Sequence, residues 1–192
     1  GVARNTLVVF TSDNGPWLKF KTHGGTAGML RDGKGTTWEG GMREPCIFWG
    51  PGLVKPAVVS GLGSTMDLFA TFSSMAGVPM PDDREMDGLD LSKVLLENAE
   101  SPRKSILYYR GPELYAARLG DFKAHYVTQG EYGQFGEREE HSVPLLYNLS
   151  HDPSEQYNIA AQHPEVLRQI AALVKAHRAR LKPGVDQLAD RE

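Results

Sequence analysis

The sequence has little of several features that define common protein classes. It contains one cysteine, Cys46, so an intrachain disulfide is impossible. It has no apolar run long enough to span a membrane. Its net charge of −3 provides neither a basic surface for nucleic acid nor a polybasic tract for a membrane surface. With 192 residues, of which 40% are hydrophobic, the chain is nevertheless long enough to form a globular core.

A short apolar run near the start is followed directly by an acid and an amide. Residues 6–11 are β-branched and apolar, which predicts a strand buried on both faces. Asp13, Asn14 and Gly15 end that strand as a turn, so Asp13 and Asn14 are expected at its carboxyl end, where open α/β sheets bind ligands. Asp-Asn-Gly is also a common turn sequence without any ligand.

A glycine-rich stretch follows and carries two further candidate residues. Lys34 lies between Gly33 and Gly35, which allows the backbone to approach an anion closely. His23 could contact an anion or donate a proton, although lysines and histidines in loops are also commonly solvated. Residues 28–34 fit the start of a nucleotide-binding P-loop, but Gly35 occupies the position that requires Ser or Thr, which argues against nucleotide binding.

Several segments in a fixed order resemble one enzyme family. They are T-S-D-N-G at residues 11–15, G-K-G-T-T-W-E-G-G-M-R-E-P at residues 33–45, and the segments 64–71, 86–91 and 146–155. Over about residues 5 to 181 the chain resembles type I sulfatases, in particular the arylsulfatase A and N-acetylgalactosamine-6-sulfatase group. The ordered set is far more specific than any one of its segments.

The resemblance implies an α/β, alkaline-phosphatase-like sulfatase fold. Residues 1–102 would form the end of the large mixed-sheet catalytic domain, and residues 103–192 a small antiparallel sheet with a packed helix. The implied activity is hydrolysis of aryl or carbohydrate sulfate esters, in a periplasmic, secreted or lysosomal protein. Asp13 and Asn14 match two calcium ligands of such enzymes, and Lys34 matches the lysine that contacts the sulfate group. Calcium prefers carboxylate and amide oxygens, which agrees with the pair.

The sequence departs from the family pattern at the nucleophile. The Cys- or Ser-x-Pro-x-Arg motif that is converted to formylglycine does not occur. The apolar neighbours of Cys46 instead predict a buried structural thiol. We therefore expect the carboxyl-terminal part of a longer enzyme, with formylglycine in the preceding part, and no activity from these residues alone. The open alternatives are a non-catalytic binder of sulfated glycans, a phosphatase or phosphodiesterase of the same superfamily, and a structural or interaction fragment.

The hydrophobic pattern predicts the remaining elements. In the first half, residues 45–49 form a strand and residues 91–97 a short helix. Another helix starts near Ser64 or Thr65, ends at Gly77, and buries the side chains Leu68, Phe69, Phe72, Met75 and Ala76. Glu39 and Arg43 are spaced for a local ion pair.

The second half is expected to be an antiparallel sheet with one helix. Short strands are predicted at residues 105–110, 114–119, 122–128 and 145–149, with a mobile glycine-rich loop at 130–142. The last helix, residues 164–181, packs on the sheet through Leu167, Ile170, Ala171, Val174 and Leu181. The tail beyond residue 184 is expected to be frayed. The histidines of this half, His125, His141, His151, His163 and His177, are interpreted as bystanders.

Overall fold

The computed structural model describes residues 1–131, 136–182 and 184. Its helices and strands, in chain order, are β1 (Val8–Thr11), α1 (Glu39–Met42), β2 (Cys46–Trp49), α2 (Asp67–Met75), α3 (Ser92–Glu97), β3 (Ser105–Arg110), β4 (Glu113–Leu119), β5 (Phe122–Thr128), β6 (Glu139–Asn148) and α4 (Pro164–Arg180). Short 3₁₀ turns lie at Ala3–Asn5 and Leu18–His23.

The first two strands form a small antiparallel sheet. Val8 lies opposite Trp49, and Thr11 opposite Cys46. Both predicted strands are confirmed, but the prediction that the first is buried on both faces is wrong, since Phe10 is 64% exposed and Val8 46% exposed. The reason is that β1 pairs with β2 in a sheet of only two strands within the described residues. Its faces therefore stay open.

The helix α2 packs through polar groups rather than through its apolar stripe. It ends as predicted, because Gly77 adopts a φ of 68° that reverses the chain. It begins at Asp67, after a turn in which the Ser64 hydroxyl oxygen accepts a 3.3 Å hydrogen bond from the Met66 amide. The buried residues are Asp67, Ala70 and Thr71.

The predicted core stripe of α2 is therefore wrong. Phe69, Phe72 and Ala76 are exposed, and Leu68 and Met75 are only partly buried. The cause is a buried ion pair, because Asp67 is fully buried against the guanidinium of Arg103. The Asp67 carboxylate also accepts hydrogen bonds from the amides of Ser64 and Leu89, both 2.8 Å long. These contacts turn the polar side of α2 inward.

The second half is a four-stranded antiparallel sheet in the order β3-β4-β5-β6. The predicted bounds of β3 and β5 are confirmed, and β4 begins one residue earlier than predicted. β6 is longer than expected, because Glu139 and Glu140 already pair with Thr128 and Val127. Part of the predicted mobile loop 130–142 is thus strand. Residues 132–135 of that loop, residue 183, and residues 185–192 of the predicted frayed tail lie outside the described residues.

The two faces of this sheet have different partners. On one face, Ala117, Ala124 and Leu146 pack against Ile170 and Val174 of α4. The predicted docking of α4 on the sheet is confirmed, although Ala171 and Leu181 at its margin are exposed. The opposite face carries Lys123, His125 and Tyr147, which are buried under the segment that contains Trp38. No helix within the described part of the chain is long and apolar enough to cross a membrane.

Replacing Ile170 by Ala should destabilise the protein by about 2–5 kcal/mol, because a fully buried side chain would leave a cavity between α4 and the sheet. Urea unfolding of the full-length protein measures this free energy. Lys175→Ala, on the exposed side of the same helix, is the control and should change stability by less than about 0.5 kcal/mol. Equal effects of the two substitutions would contradict the assigned packing.

Candidate functional site

Asp13 and Asn14 lie where the sequence predicted, immediately after the end of β1. Asp13 is exposed and Asn14 is partly buried. The following residue, Gly15, packs tightly against the chain near α1, and a Cβ atom there would lie 1.9 Å from the Gly40 carbonyl oxygen. Only glycine fits at this contact, so the Asp-Asn turn is held directly against the α1 segment.

Lys34 lies on a loop that is fastened to the same turn. Its backbone amide donates a hydrogen bond of 2.9 Å to the Pro16 carbonyl oxygen, two residues after Asn14. Its ammonium nitrogen lies 5.3 Å from the centroid of the Trp17 ring, in cation–π range. The segments that carry Asp13, Asn14 and Lys34 are thus neighbours. His23 is exposed at the end of the 3₁₀ turn Leu18–His23.

The surroundings of Asp13 suit a cation. Glu44 lies near it, and one Glu44 carboxylate oxygen, Oε1, is buried without a hydrogen-bond partner among the described residues. Desolvation raises the pKa of Glu44, and the nearby Asp13 charge raises it further. The carboxylates of Glu44 and Asp13 therefore lie near each other, and carboxylate oxygens are ligands that a divalent ion such as calcium prefers. The pair would be a partial shell, since the described residues contain no group of three or more His, Cys, Asp or Glu side chains able to hold a metal.

The predicted ion pair between Glu39 and Arg43 is wrong. Arg43 is exposed, whereas Glu39 is buried and turns toward the four-stranded sheet. Glu39 Oε1 lies 2.9 Å from Lys123 Nζ, and Glu39 Oε2 lies 3.4 Å from Arg118 Nη1. The local spacing of Glu39 and Arg43 was misleading. Glu39 pairs instead with Arg118 and Lys123, which lie 79 and 84 residues later in the chain.

These contacts belong to a buried polar cluster, which consists of Glu39, Lys123, His125 and Glu155. Lys123 Nζ lies 3.2 Å from Glu155 Oε1, and His125 Nε2 lies 2.7 Å from the same oxygen. The other carboxylate oxygen, Glu155 Oε2, accepts a 2.6 Å hydrogen bond from the Glu39 backbone amide. All four side chains are no more than 1% exposed. The cluster joins the α1 segment to the sheet.

Mutual attraction keeps Lys123 and Glu155 ionised despite their burial. Desolvation opposes the charge of Lys123, but Glu155, Tyr108 and Glu39 outweigh it and raise the pKa of Lys123. Desolvation likewise opposes the charge of Glu155, and Lys123, His125 and the Glu39 amide together lower its pKa. A buried ion pair with satisfied hydrogen bonds is the arrangement in which such charges persist in a low-dielectric interior.

His125 is a member of this cluster and contributes to the buried structure, while its interpretation as a bystander to catalysis stays a prediction. Desolvation and the Lys123 charge lower its pKa to about 4, against the opposing hydrogen bond with Glu155. The ring is therefore neutral at neutral pH, and Nε2 donates to the Glu155 carboxylate. Nδ1, which is buried without a hydrogen-bond partner among the described residues, is then the unprotonated nitrogen. The ring also packs on Trp38 at 4.2 Å between centroids.

The buried-thiol prediction for Cys46 is also wrong. Cys46 is exposed on β2, because the small β1-β2 sheet is open. Partial desolvation nevertheless raises the pKa of its thiol, and a hydrogen bond with Thr11 lowers it by less. At neutral pH this side chain is a thiol rather than a thiolate, which argues against a nucleophilic role.

Sequence reasoning missed the buried cluster, although one signal was present. Side chains of a strand alternate between its two faces, so Lys123 and His125 share a face that Ala124 does not. A lysine and a histidine at alternate positions of an otherwise apolar strand indicate a buried polar face that needs acidic partners. Nothing local identified Glu39 and Glu155 as those partners.

Comparison with known proteins supplies the family. A model described as "Sulfatase" matches residues 1–78, and one described as "C-terminal region of aryl-sulfatase" matches residues 101–192. The chain belongs to the sulfatase family. It is 41% identical over 194 aligned residues to arylsulfatase A of Homo sapiens, covering 90% of this chain and 38% of that protein. It is also 41% identical to N-acetylgalactosamine-6-sulfatase of Sus scrofa, covering 97% and 40%.

Solved sulfatase structures confirm the predicted fold class. The crystal structure of PsFucS1 sulfatase from Pseudoalteromonas sp. superposes with a TM-score of 0.83 at 31% sequence identity. That match covers 92% of this sulfatase chain and 37% of the other. The fold is therefore the alkaline-phosphatase-like sulfatase fold. The chain spans less than half the length of the relatives that it matches.

Acid should destabilise this sulfatase chain through His125. In the unfolded chain the imidazole takes up a proton near its ordinary pKa of 6.5, but in the folded protein only near about 4. Between these values the unfolded state binds more protons, so stability falls as the pH falls, by about 2 kcal/mol from pH 7 to pH 5. The lowered pKa of Glu155 acts in the same direction at still lower pH.

The measurement is urea unfolding of the full-length protein at the two pH values. His125→Gln should weaken the pH dependence, whereas His151→Gln, which alters an exposed side chain, should preserve it. Identical pH dependence in the wild type and in His125→Gln would contradict the assignment.

Proposed function

We propose that this chain is part of a sulfatase that hydrolyses sulfate esters of aryl alcohols or carbohydrates. The observation that carries the proposal is the combination of family membership with the adjacency of two segments. The lysine-bearing loop is hydrogen-bonded to the Asp-Asn turn through the Lys34 amide and the Pro16 carbonyl oxygen. A turn with carboxylate and amide oxygens that could hold a cation, next to a loop that carries a lysine, suits an anionic ester.

Each proposed site residue has a distinct role. Asp13 and Asn14 would hold calcium through a carboxylate and an amide oxygen, together with ligands from elsewhere in the complete protein. When bound, calcium supplies positive charge that neutralises sulfate oxygens. Lys34 would contact the sulfate group and stabilise the negative charge that develops on the transferred group or the bridging oxygen. His23 would bind substrate at the edge of this site.

The nucleophile is proposed to lie in the part of the complete enzyme that this chain does not cover. The sequence contains no Cys- or Ser-x-Pro-x-Arg motif, and Cys46 is an exposed thiol with a raised pKa. Formylglycine, which provides a hydrated aldehyde that attacks sulfur in such enzymes, would therefore come from the uncovered part. These residues alone are proposed to be inactive.

The substrate class follows from the relatives and remains part of the proposal. One matched protein is named N-acetylgalactosamine-6-sulfatase, so a sulfated glycan is a suitable ligand for a related site. An aryl sulfate is the other proposed class, since arylsulfatase A is equally similar in sequence. Parallel assays with aryl sulfates, sulfated sugars and the corresponding phosphate esters would rank these substrates and test the phosphatase alternative.

Replacing Lys34 by Ala in the full-length enzyme should lower kcat/KM for a sulfate ester by about 100-fold, because a charge that stabilises the transition state is lost. Lys21→Ala, an exposed lysine in the same glycine-rich region, is the matched control. Steady-state kinetics measures the effect, and far-ultraviolet circular dichroism checks the fold. Kinetics unchanged by Lys34→Ala would remove this lysine from the site.

Replacing Asp13 by Asn should weaken calcium binding at least about 10-fold, because one anionic ligand becomes neutral. Isothermal titration calorimetry on the calcium-depleted full-length protein measures the affinity. Asp83→Asn, which alters an exposed carboxylate paired only with the exposed Arg84, should leave the affinity unchanged. Equal calcium affinities for the wild type and Asp13→Asn would refute the ligand assignment.

A further inference from the structure

We propose that Glu155 is a positioning residue for the loop that carries Lys34. This loop, residues 29–39, is called here the lysine loop. Glu155 touches both ends of it and makes no contact with Lys34 itself. The inference rests on the proposed function, in which Lys34 contacts the sulfate group, and it adds a buried residue that sets where Lys34 lies.

Glu155 holds the far end of the lysine loop through its carboxylate. Oε2 accepts the 2.6 Å hydrogen bond from the Glu39 amide, while Oε1 faces Lys123 at 3.2 Å and His125 at 2.7 Å. One carboxylate thus joins the loop on one side to β5 on the other. A charge-assisted hydrogen bond to a backbone amide is stronger and more directional than a neutral one, so it fixes the position of that amide.

The near end of the loop is held by the backbone of the same residue. The Glu155 carbonyl oxygen accepts a 2.8 Å hydrogen bond from Arg31 Nη1, and Ser154 Oγ donates a 2.6 Å hydrogen bond to the Met29 carbonyl oxygen. The Arg31 guanidinium also lies 3.7 Å from the centroid of the Trp38 ring. Two consecutive residues, Ser154 and Glu155, therefore contact both ends of the lysine loop.

The backbone conformation of Glu155 shows that this arrangement is imposed by its contacts. Its φ is +51°, a left-handed conformation that residues other than glycine rarely adopt. Such a conformation persists only where surrounding interactions hold it. Here it lets the side chain and the carbonyl oxygen of one residue reach opposite ends of the loop.

The loop is compact enough to transmit a displacement from its base to Lys34. Its base is closed by a 2.8 Å hydrogen bond from the Gly40 amide to the Arg31 carbonyl oxygen. Inside it, Thr36 Oγ1 donates to the Gly33 carbonyl oxygen at 2.9 Å. A Cβ atom on Gly41 would lie 2.5 Å from that same oxygen, so there is no free space. In such close packing, a shift at Glu39 moves its neighbours.

The chain offers a matched control for removing a buried carboxylate. Asp67 is as deeply buried as Glu155, and it too accepts backbone hydrogen bonds and pairs with a cation, Arg103. Its carboxylate contacts residues 64, 89 and 103, none of which is in the lysine loop. A carboxylate-to-amide change at either position costs stability, but only the change at Glu155 should alter Lys34.

The test compares Glu155→Gln with Asp67→Asn in the full-length enzyme. Glu155→Gln should lower kcat by about 10-fold or more, since misplacement of a charged group reduces transition-state stabilisation. Asp67→Asn should keep kcat, per folded molecule, within about twofold of the wild type. In the double variant, Glu155→Gln should lower kcat by no more than about twofold relative to Lys34→Ala alone, because the group that Glu155 positions has already been removed.

A second readout does not depend on turnover. The rate at which Lys34 reacts with acetic anhydride, followed by mass spectrometry of the folded protein, reports the surroundings of its amine. We expect Glu155→Gln to change this rate at least about threefold, and Asp67→Asn to leave it unchanged, if positioning of the amine sets its access to the reagent. Arg31→Met, which cuts the other attachment at an exposed side chain, should change it in the same direction and serves if Glu155→Gln does not fold.

The outcomes separate the two proposals. The positioning role would be overturned if the wild type hydrolyses sulfate esters and the three variants Glu155→Gln, Arg31→Met and Asp67→Asn share the same kcat and the same Lys34 labelling rate. The proposed function would then still stand. The proposed function would be overturned if the wild type shows no sulfatase turnover. If Glu155→Gln or Arg31→Met, but not Asp67→Asn, nevertheless changes the Lys34 labelling rate, the positioning of the loop would be supported.

Discussion

The buried contact between Lys123 and its two carboxylate partners is the interaction on which the rest of this structure depends. A charged ammonium that is fully removed from water is tolerated only when acidic partners surround it, and here Glu39 and Glu155 lie at 2.9 Å and 3.2 Å. One partner precedes the sheet in the chain and the other follows it. Separating the α1 segment from the sheet would leave buried charges without their partners, so we expect the two parts to unfold together.

A single strand organises both sides of the sheet. In β5, Ala124 faces α4 within the apolar core, while Lys123 and His125 face the lysine loop. This division follows from the two-residue repeat of a strand and needs no irregular backbone. It gives the sheet an apolar face that packs against α4 and a polar face that fixes the position of the loop above it. Hydrophobic burial is non-directional, whereas charged hydrogen bonds specify position.

The sequence predicted local elements well and long-range pairings poorly. The bounds of β3 and β5 and the docking of α4 were predicted, because hydrophobic periodicity and Gly or Pro residues define such elements locally. The α2 stripe failed because Asp67 is buried by Arg103, 36 residues away, and Glu39 was paired with Arg43 instead of Lys123. The ordered motifs indicated Asp13, Asn14 and Lys34, but no local pattern could show that Glu155 holds the loop.

The contacts of the lysine loop limit the positions that the ammonium group of Lys34 can take. A lysine side chain has a long, mobile stem, so its backbone must be fixed if the ammonium group is to act on one atom. In this structure the backbone of Lys34 is bonded to Pro16, next to the Asp-Asn turn, and both ends of its loop are bonded to residues 154 and 155. The rigidity therefore comes from behind the proposed site, where no substrate would contact it. Because the fixed charges lie in a buried layer, Asp13 stays exposed and Asn14 and Lys34 stay partly exposed, as the proposed site requires.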